Sequence, residues 1–354
     1  MKERLGFAVI GCGVISSWHA DAIRAIDEAE LRAVCDVAEE KARQMGEKYG
    51  VDWYTDYNEL FRRPDIHVVN ICVPSGLRSE VVVPAAQAGK HIIAEKPLEV
   101  TLEKADKITR TARENRVKLA VIFQSRFSDD ATLLRKALQE GRFGRLVYGE
   151  ASLKWYRTQA YYDSGDWRGT WKLDGGGALM NQAIHAVDFL QWMMGEVDSL
   201  FAYTGLLAHE RIEVEDTAVA SLKFKNGALG SIIAMTSAYP GYAKRIEIYG
   251  TDGASVLEDD HITVWNFKEE REEDKRIKEE ILKREVAKSE AMGASSPTAG
   301  LSYEPHRRQI VDMIRAIRED TEPLVNGEEG RKSMEIILGI YESSKTGKPV
   351  KLPL

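Results

Sequence analysis

Up to residue 123, short apolar runs alternate with longer stretches of helical periodicity. The runs read LGFAVI (5–10), LRAVCD (31–36), HVVNICV (67–73), HIIA (91–94) and KLAVI (118–122). They are continuous and rich in β-branched residues, as strands buried on both faces are. Strand, helix and strand in repetition predicts a parallel sheet built from βαβ units.

After 123 the pattern changes. The periodicity predicts a helix over 128–140 and a long strand over 145–155. A polar, aromatic loop follows, YRTQAYYDSGDWRGTW (156–171), and then DGGG (174–177) opens an apolar helix. Next come the strand-like runs SLFAYTGLL, DTAVASLKF, LGSIIAMTS, KRIEIYG, ASVLED and HITVWNF, with KNG and TDG among the turn signals between them. Strands without intervening helices predict an open sheet, antiparallel or mixed. The fold class is therefore α/β: a dinucleotide-binding domain at 1–123 and an α+β domain at 124–354 with a large, open, mostly antiparallel sheet. Residues 268–290 are mostly charged with mixed signs, which reads as a solvated helix. AMGASSPTAG (291–300) reads as a loop, and helices near 303–319 and 328–345 close the chain.

Length and composition agree with that division. The 354 residues suit two domains, and 44% hydrophobic with 30% charged residues suits a globular protein with a real core. The net charge of −7 argues against a broad nucleic-acid footprint. No signal peptide precedes the first strand, and no run approaches the ~20 apolar residues of a membrane span. Cys12, Cys35 and Cys72 form no CxxC pair, so they read as small buried hydrophobes in a reducing cytoplasm.

The first βα turn reads AVIGCGVISSWHADAI. Gly11 and Gly13 fit a G-x-G-x-x-G pattern in which Ser16 takes the third place. Gly11 permits the sharp turn, Gly13 lets backbone approach a pyrophosphate, and Val14 and Ile15 lead into the helix whose N–H groups face the anion. Asp36 ends the second strand. A carboxylate there accepts ribose hydroxyls and repels the extra phosphate of NADP, so NAD is the expected cofactor. Val73, Pro74 and Ser75 end a later strand, and Glu95 and Lys96 of AEKP end the next. Both lie at the rim where open α/β sheets bind ligands.

GCGVIS (11–16), AEKPL (94–98), DWRGTW (166–171) and DGGGALMNQAIH (174–185) together resemble the glucose–fructose oxidoreductase/inositol dehydrogenase/MocA (Gfo/Idh/MocA) family of NAD(P)-dependent sugar oxidoreductases. The resemblance spans nearly the whole chain. It implies a Rossmann domain, then an open sheet that forms subunit interfaces in homo-oligomers, tetramers or dimers. It implies Lys96 and His185 as the catalytic pair, Gln124 beside the nicotinamide, Trp167 and Arg168 reaching over the cofactor, and a cis Lys96–Pro97 bond. On helical spacing alone His185 reads as a core histidine; the resemblance reverses that reading.

Many members carry aspartate four residues before this histidine, where the chain has Asn181. An amide orients a sugar hydroxyl but exchanges no proton. With YYDSGDWRGTW and RIEVEDTAVASLKF, this asparagine is similar to a branch of UDP-N-acetylglucosaminuronate 3-dehydrogenases. Arg157, Gln159 and Tyr161 are candidate substrate contacts, since arginine binds a carboxylate or phosphate in a bidentate fashion. The histidines show no metal-ligand spacing, and hydride transfer calls for no metal ion. The expected activity is oxidation of a ring hydroxyl to a ketone on a sugar or nucleotide sugar, with His185 or Lys96 moving the proton. Two alternatives stay open: a dehydrogenase of free inositols, monosaccharides or glycosides, and a non-catalytic NAD-binding regulator.

Overall fold

The computed structural model describes residues 3–290 and 303–354, with the backbone alone for 285–290. The loop expected at 291–300 lies outside the described residues. β1 (Leu5–Ile10), α1 (Ser16–Arg24), β2 (Ala29–Cys35), α2 (Glu39–Tyr49), β3 (Asp52–Tyr54), α3 (Tyr57–Arg62), β4 (Val68–Ile71), α4 (Arg78–Gln87), β5 (His91–Ala94), α5 (Leu102–Glu114) and β6 (Leu119–Val121) come first. Their strands form one six-stranded sheet in the order β3-β2-β1-β4-β5-β6, parallel throughout. That bears out the βαβ reading and adds the edge strand β3, whose three residues are too short to show a period. The strand order reverses between β1 and β4, and ligands bind outside the carboxyl ends at such a point.

The rest of the described chain is α6 (Asp129–Gln139), β7 (Leu146–Lys154), α7 (Gln159–Asp163), α8 (Ile184–Met194), β8 (Val197–Gly205), β9 (Thr217–Phe224), β10 (Leu229–Met235), β11 (Arg245–Gly250), β12 (Gly253–Glu258), β13 (His261–Phe267), α9 (Glu272–Glu290), α10 (Glu304–Glu319), α11 (Gly327–Thr346) and β14 (Val350–Lys351). These strands form an eight-stranded sheet, β13-β12-β11-β7-β10-β9-β8-β14. All its pairings are antiparallel except β10 with β7.

Two compact units result, and neither is one continuous stretch. The first holds residues 1–124, 163–181 and 303–334; the second holds 125–162, 182–302 and 335–354. α10 joins the first unit because its apolar stripe, Ile310, Met313 and Ile314, packs into the core of Phe7, Val9, Ala20 and Ile23. The segment 163–181 returns to the rim of the parallel sheet, where Gly76 N donates to Leu173 O at 3.0 Å. A β-carbon at Gly76 would stand 2.1 Å from the Lys172 carbonyl oxygen, so only glycine admits this approach.

In the second unit, strand alternation separates two faces. Ala218, Ala220, Leu222 and Phe224 of β9 are buried, while Val219, Ser221 and Lys223 are exposed. α8 packs on β7 and β11. The charged stretch is a helix, α9, and it is docked rather than wholly solvated. Asp274 is 1% exposed and accepts from both terminal nitrogens of Arg142 (2.7 and 2.6 Å) and from Trp265 Nε1 (2.7 Å). α8 is tied by a second buried pair. Arg126 donates to both oxygens of Asp188 at 2.8 and 2.6 Å, and both side chains are 1% exposed.

Removing one partner of such a pair leaves an uncompensated buried charge. Asp188→Ala should therefore lower unfolding stability by about 3–5 kcal/mol in denaturant titration. Asp188→Leu combined with Arg126→Met should recover much of that loss.

Candidate active site

The nucleotide turn lies at the switch point. Gly11 has φ +95°, and a β-carbon there would meet the Cys72 carbonyl carbon at 2.8 Å. A side chain is thus barred by both conformation and space. A β-carbon at Gly13 would meet nothing within 4 Å. Val14 is 83% exposed at the mouth of the turn, and Ile15 precedes α1 as its N-cap residue. One oxygen of Asp36 accepts from Cys12 N at 2.7 Å and the other from Ala38 N at 2.8 Å. These bonds fix the carboxylate just past β2, and each oxygen keeps a lone pair for a ribose hydroxyl. Pro74 and Ser75 lead the turn Ser75–Leu77 beyond β4, directly after Val73. Gln124 closes the first unit, and its buried Oε1 has no hydrogen-bond partner, which suits it to an N–H of a ligand amide. An open cradle at Gly13, a fixed carboxylate at Asp36 and an orphaned acceptor at Gln124 fit a nicotinamide dinucleotide. Burial pushes the Cys12 and Cys35 thiols up to about 12 and raises Cys72 as well, which disfavours the thiolate at all three.

Lys96 follows β5, and its bond to Pro97 is cis. The half-buried Lys96 Nζ donates to the carbonyl of Asn181 at 2.8 Å. Burial pulls this ammonium below its ordinary value; Glu95 and Asp174 act to raise it, and Arg78 and Arg168 to lower it. Arg78 is 5% exposed and donates to the Pro97 carbonyl. Trp167 and Arg168 stand in the returning segment, with the guanidinium 4.5 Å from the indole.

Glu95 is turned away from the rim. It is 5% exposed and bonds to His19 Nε2 at 3.0 Å, and its second oxygen accepts from Lys96 N at 3.1 Å. Asn70 donates to His19 Nδ1 at 2.8 Å, which sets the tautomer that donates to Glu95. His306 Nε2 stands 3.9 Å from the same carboxylate oxygen. Burial alone would raise the Glu95 carboxyl, but the two imidazoles outweigh it and hold it well below the usual range. Glu95 thus braces the backbone of Lys96. Sequence spacing shows no metal pattern, yet the fold gathers His19, Glu95 and His306 with ligand atoms within 4.8 Å. Their close contact is that of a hydrogen-bonded pair.

The glycine-rich turn does not open directly into α geometry. Ala178–Ala183 is π-wound and α8 begins at Ile184, followed by the half-buried His185. π turns concentrate at functional sites. In the second unit, the Arg157 guanidinium lies 4.9 Å from the Trp155 ring and 5.3 Å from the Tyr161 ring. It donates to Gln182 Oε1 at 3.0 Å, and Gln182 donates in turn to Tyr161 Oη at 2.9 Å. Arg157 Nε is buried without a partner, and no carboxylate among the described residues pairs with it. Gln159 is engaged differently. Its amide donates to Glu210 O at 2.6 Å and accepts from Glu210 N at 3.0 Å, so it clamps the loop. Asp174, Arg78, His19 and His306 escaped the sequence reading. Only Asp174 carried a local signal, its place directly before three glycines.

A parallel sheet of this order with such a turn is that of a dinucleotide-binding domain. Residues 5–123 match the model of the oxidoreductase family with an NAD-binding Rossmann fold, and 132–256 match the GFO/IDH/MocA C-terminal domain. The chain belongs to the Gfo/Idh/MocA family of NAD-dependent sugar dehydrogenases. It is 33% identical to the WlbA dehydrogenase of Bordetella pertussis, solved with NADH and UDP-GlcNAcA, covering 100% of this chain and 99% of that one with a TM-score of 0.90. It is 29% identical to myo-inositol 2-dehydrogenase of Thermotoga maritima over 97% of both chains. It is 27% identical to levoglucosan dehydrogenase of Pseudarthrobacter phenanthrenivorans over 72% of this chain and 74% of that one. Among the described residues no helix is long and apolar enough to cross a membrane.

Gly13→Ala tests the cradle. The added methyl meets open space, so the melting temperature should stay near wild type. The dissociation constant for NADH, read by fluorescence titration, should rise about tenfold or more.

Proposed function

We propose that the protein oxidises the 3-hydroxyl of a UDP-N-acetylhexosaminuronate to a ketone. NAD+, when bound, takes the hydride from the ring carbon. Proton handling, orientation and charge fall to the chain. His185 removes the carbinol proton as general base, since an imidazole titrates near pH ~6.5. Lys96, as ammonium, stabilises a developing alkoxide. Asn181 orients a neighbouring sugar hydroxyl. Gly11, Gly13, Val14, Ile15 and Asp36 hold the adenosine diphosphate half of the cofactor. Val73, Pro74, Ser75, Lys96 and Gln124 hold the nicotinamide half, with Trp167 and Arg168 closing over it and Glu95 bracing Lys96.

Arg157 carries the uronate reading. A guanidinium beside two rings, held by Gln182 through one terminal nitrogen and with Nε lacking an acceptor, has donors left for an anion. Similarity to a dehydrogenase solved with UDP-GlcNAcA points the same way. A second reading, a free inositol as substrate, draws on the 29% identity to the Thermotoga enzyme. The regulator reading loses its ground with membership of an oxidoreductase family whose relatives are dehydrogenases.

An NADH-absorbance assay across UDP-N-acetylglucosaminuronate, UDP-N-acetylglucosamine, myo-inositol and glucose separates these readings. The proposal expects turnover on the first and little on the second, which lacks the carboxylate. Arg157→Met should raise KM for the uronate about 10–100-fold, and Lys96→Ala should lower kcat at least ~100-fold. Turnover on inositol alone would overturn the uronate assignment.

The open face of the large sheet exposes Tyr203 (68%), Val219 (47%) and Leu229 (58%). We read it as the surface that takes a second copy of the chain in a homo-oligomer. Light scattering should give a mass of two or four chains, and Val219→Asp with Tyr203→Asp should reduce it.

A further inference from the structure

In this chain the helix position at 181 holds an amide and no carboxylate. The fold brings a carboxylate to it from the turn. Asp174 is 2% exposed. One of its oxygens accepts from Asn181 Nδ2, and the other accepts from Gly169 N at 2.9 Å. Asn181 is held at both ends, since its backbone carbonyl accepts from Lys96 Nζ at 2.8 Å. One residue thus bridges the ammonium and the buried carboxylate.

We propose that Asp174 is the positioning residue of this site, the carboxylate that holds the Asn181 carboxamide by its NH2 end and, through that residue, supports the ammonium of Lys96. The inference rests on the reading of Lys96 as the group at the carbinol. The orientation follows from hydrogen-bond chemistry. A carboxylate accepts only, so it selects the NH2 end of the amide and turns the carbonyl end away from itself. The charge follows from burial. An ammonium withdrawn from water loses stability, and a nearby carboxylate returns part of it. The charged groups acting on Lys96 are Glu95 and Asp174 on one side of the balance and Arg78 and Arg168 on the other. Glu95 is already committed to His19 and to the amide of Lys96. Burial pushes the Asp174 carboxyl up to about 6, against its bonds to Gly169 and Asn181 and the charges of Lys96 and Arg168. It is therefore ionised across the range where a lysine titrates.

The test needs no turnover. The pH dependence of Lys96 acetylation by acetic anhydride, read by mass spectrometry, reports the ammonium directly. Asp174→Asn preserves shape and removes the charge. The Lys96 midpoint should fall by about one pH unit, while that of Lys90, bonded to the Arg63 and Ile66 carbonyls, stays in place as internal control. Asp174→Glu, which keeps the charge, should restore the Lys96 midpoint. An unchanged Lys96 midpoint in a folded Asp174→Asn protein would overturn the inference. The coupling is reciprocal, so Lys96→Met should raise the Asp174 titration, followed by carboxyl 13C resonances; no rise there also sinks it. This second arm decides the matter even if Asp174→Asn does not fold. Wild-type protein that turns over no sugar, while Lys96 and Asp174 still shift each other, would remove the dehydrogenase reading and leave the pair standing.

Discussion

An ammonium drawn partly out of water has to be held by what surrounds it. Lys96 is the point at which that constraint acts on this fold. Its Nζ has one carbonyl at 2.8 Å, and two carboxylates and two guanidinium groups act on its charge. Each of these is placed by a separate part of the chain: Glu95 by the end of β5, Arg78 by α4, Arg168 and Asp174 by the segment that returns at 163–181. Lose the return and the lysine keeps Glu95 but loses both its carbonyl and its second carboxylate. The glycine at 76, which lets residues 172 and 173 lie against the rim, is therefore as much a part of the site as the lysine is.

The support extends inward as well. Burial works against the charge of Glu95. His19 and His306 keep it ionised, and α10 delivers His306 from more than two hundred residues away in the sequence. The core packing of Ile310, Met313 and Ile314 is what sets α10 in place. A hydrophobic stripe thus decides where an imidazole stands, and the imidazole decides the charge of the residue beside the lysine. Such a chain of dependence costs more than an apolar core would, since each buried polar group must find its partner.

What was legible in the sequence was local. Strand–helix alternation and GCGVIS suffice for the parallel sheet and the place of the nucleotide, because a period and a turn are read within ten or so residues. The run of strands after residue 196 is legible for the same reason. Three features were not. β3 is too short to show alternation. The returning segment and α10 join the first unit through contacts that no window of sequence spans. The duty of Asp174 depends on Lys96 and Asn181 meeting, and they lie 85 positions apart. Lys96, by contrast, is singled out by its motif and the family resemblance, which carry such distant contacts without showing them.

The exchange of a carboxylate for an amide at position 181 then has a physical reading. A carboxylate on the helix, beside an ammonium, would face the substrate with its own charge. Moved to position 174, the negative charge lies at 2% exposure, behind an amide that transmits orientation but no net charge. A substrate that is itself anionic would gain from that displacement, because a carboxylate facing it would repel its charge. A neutral polyol has no such demand. The position of the carboxylate, behind the amide rather than in place of it, is in keeping with the proposed anionic substrate.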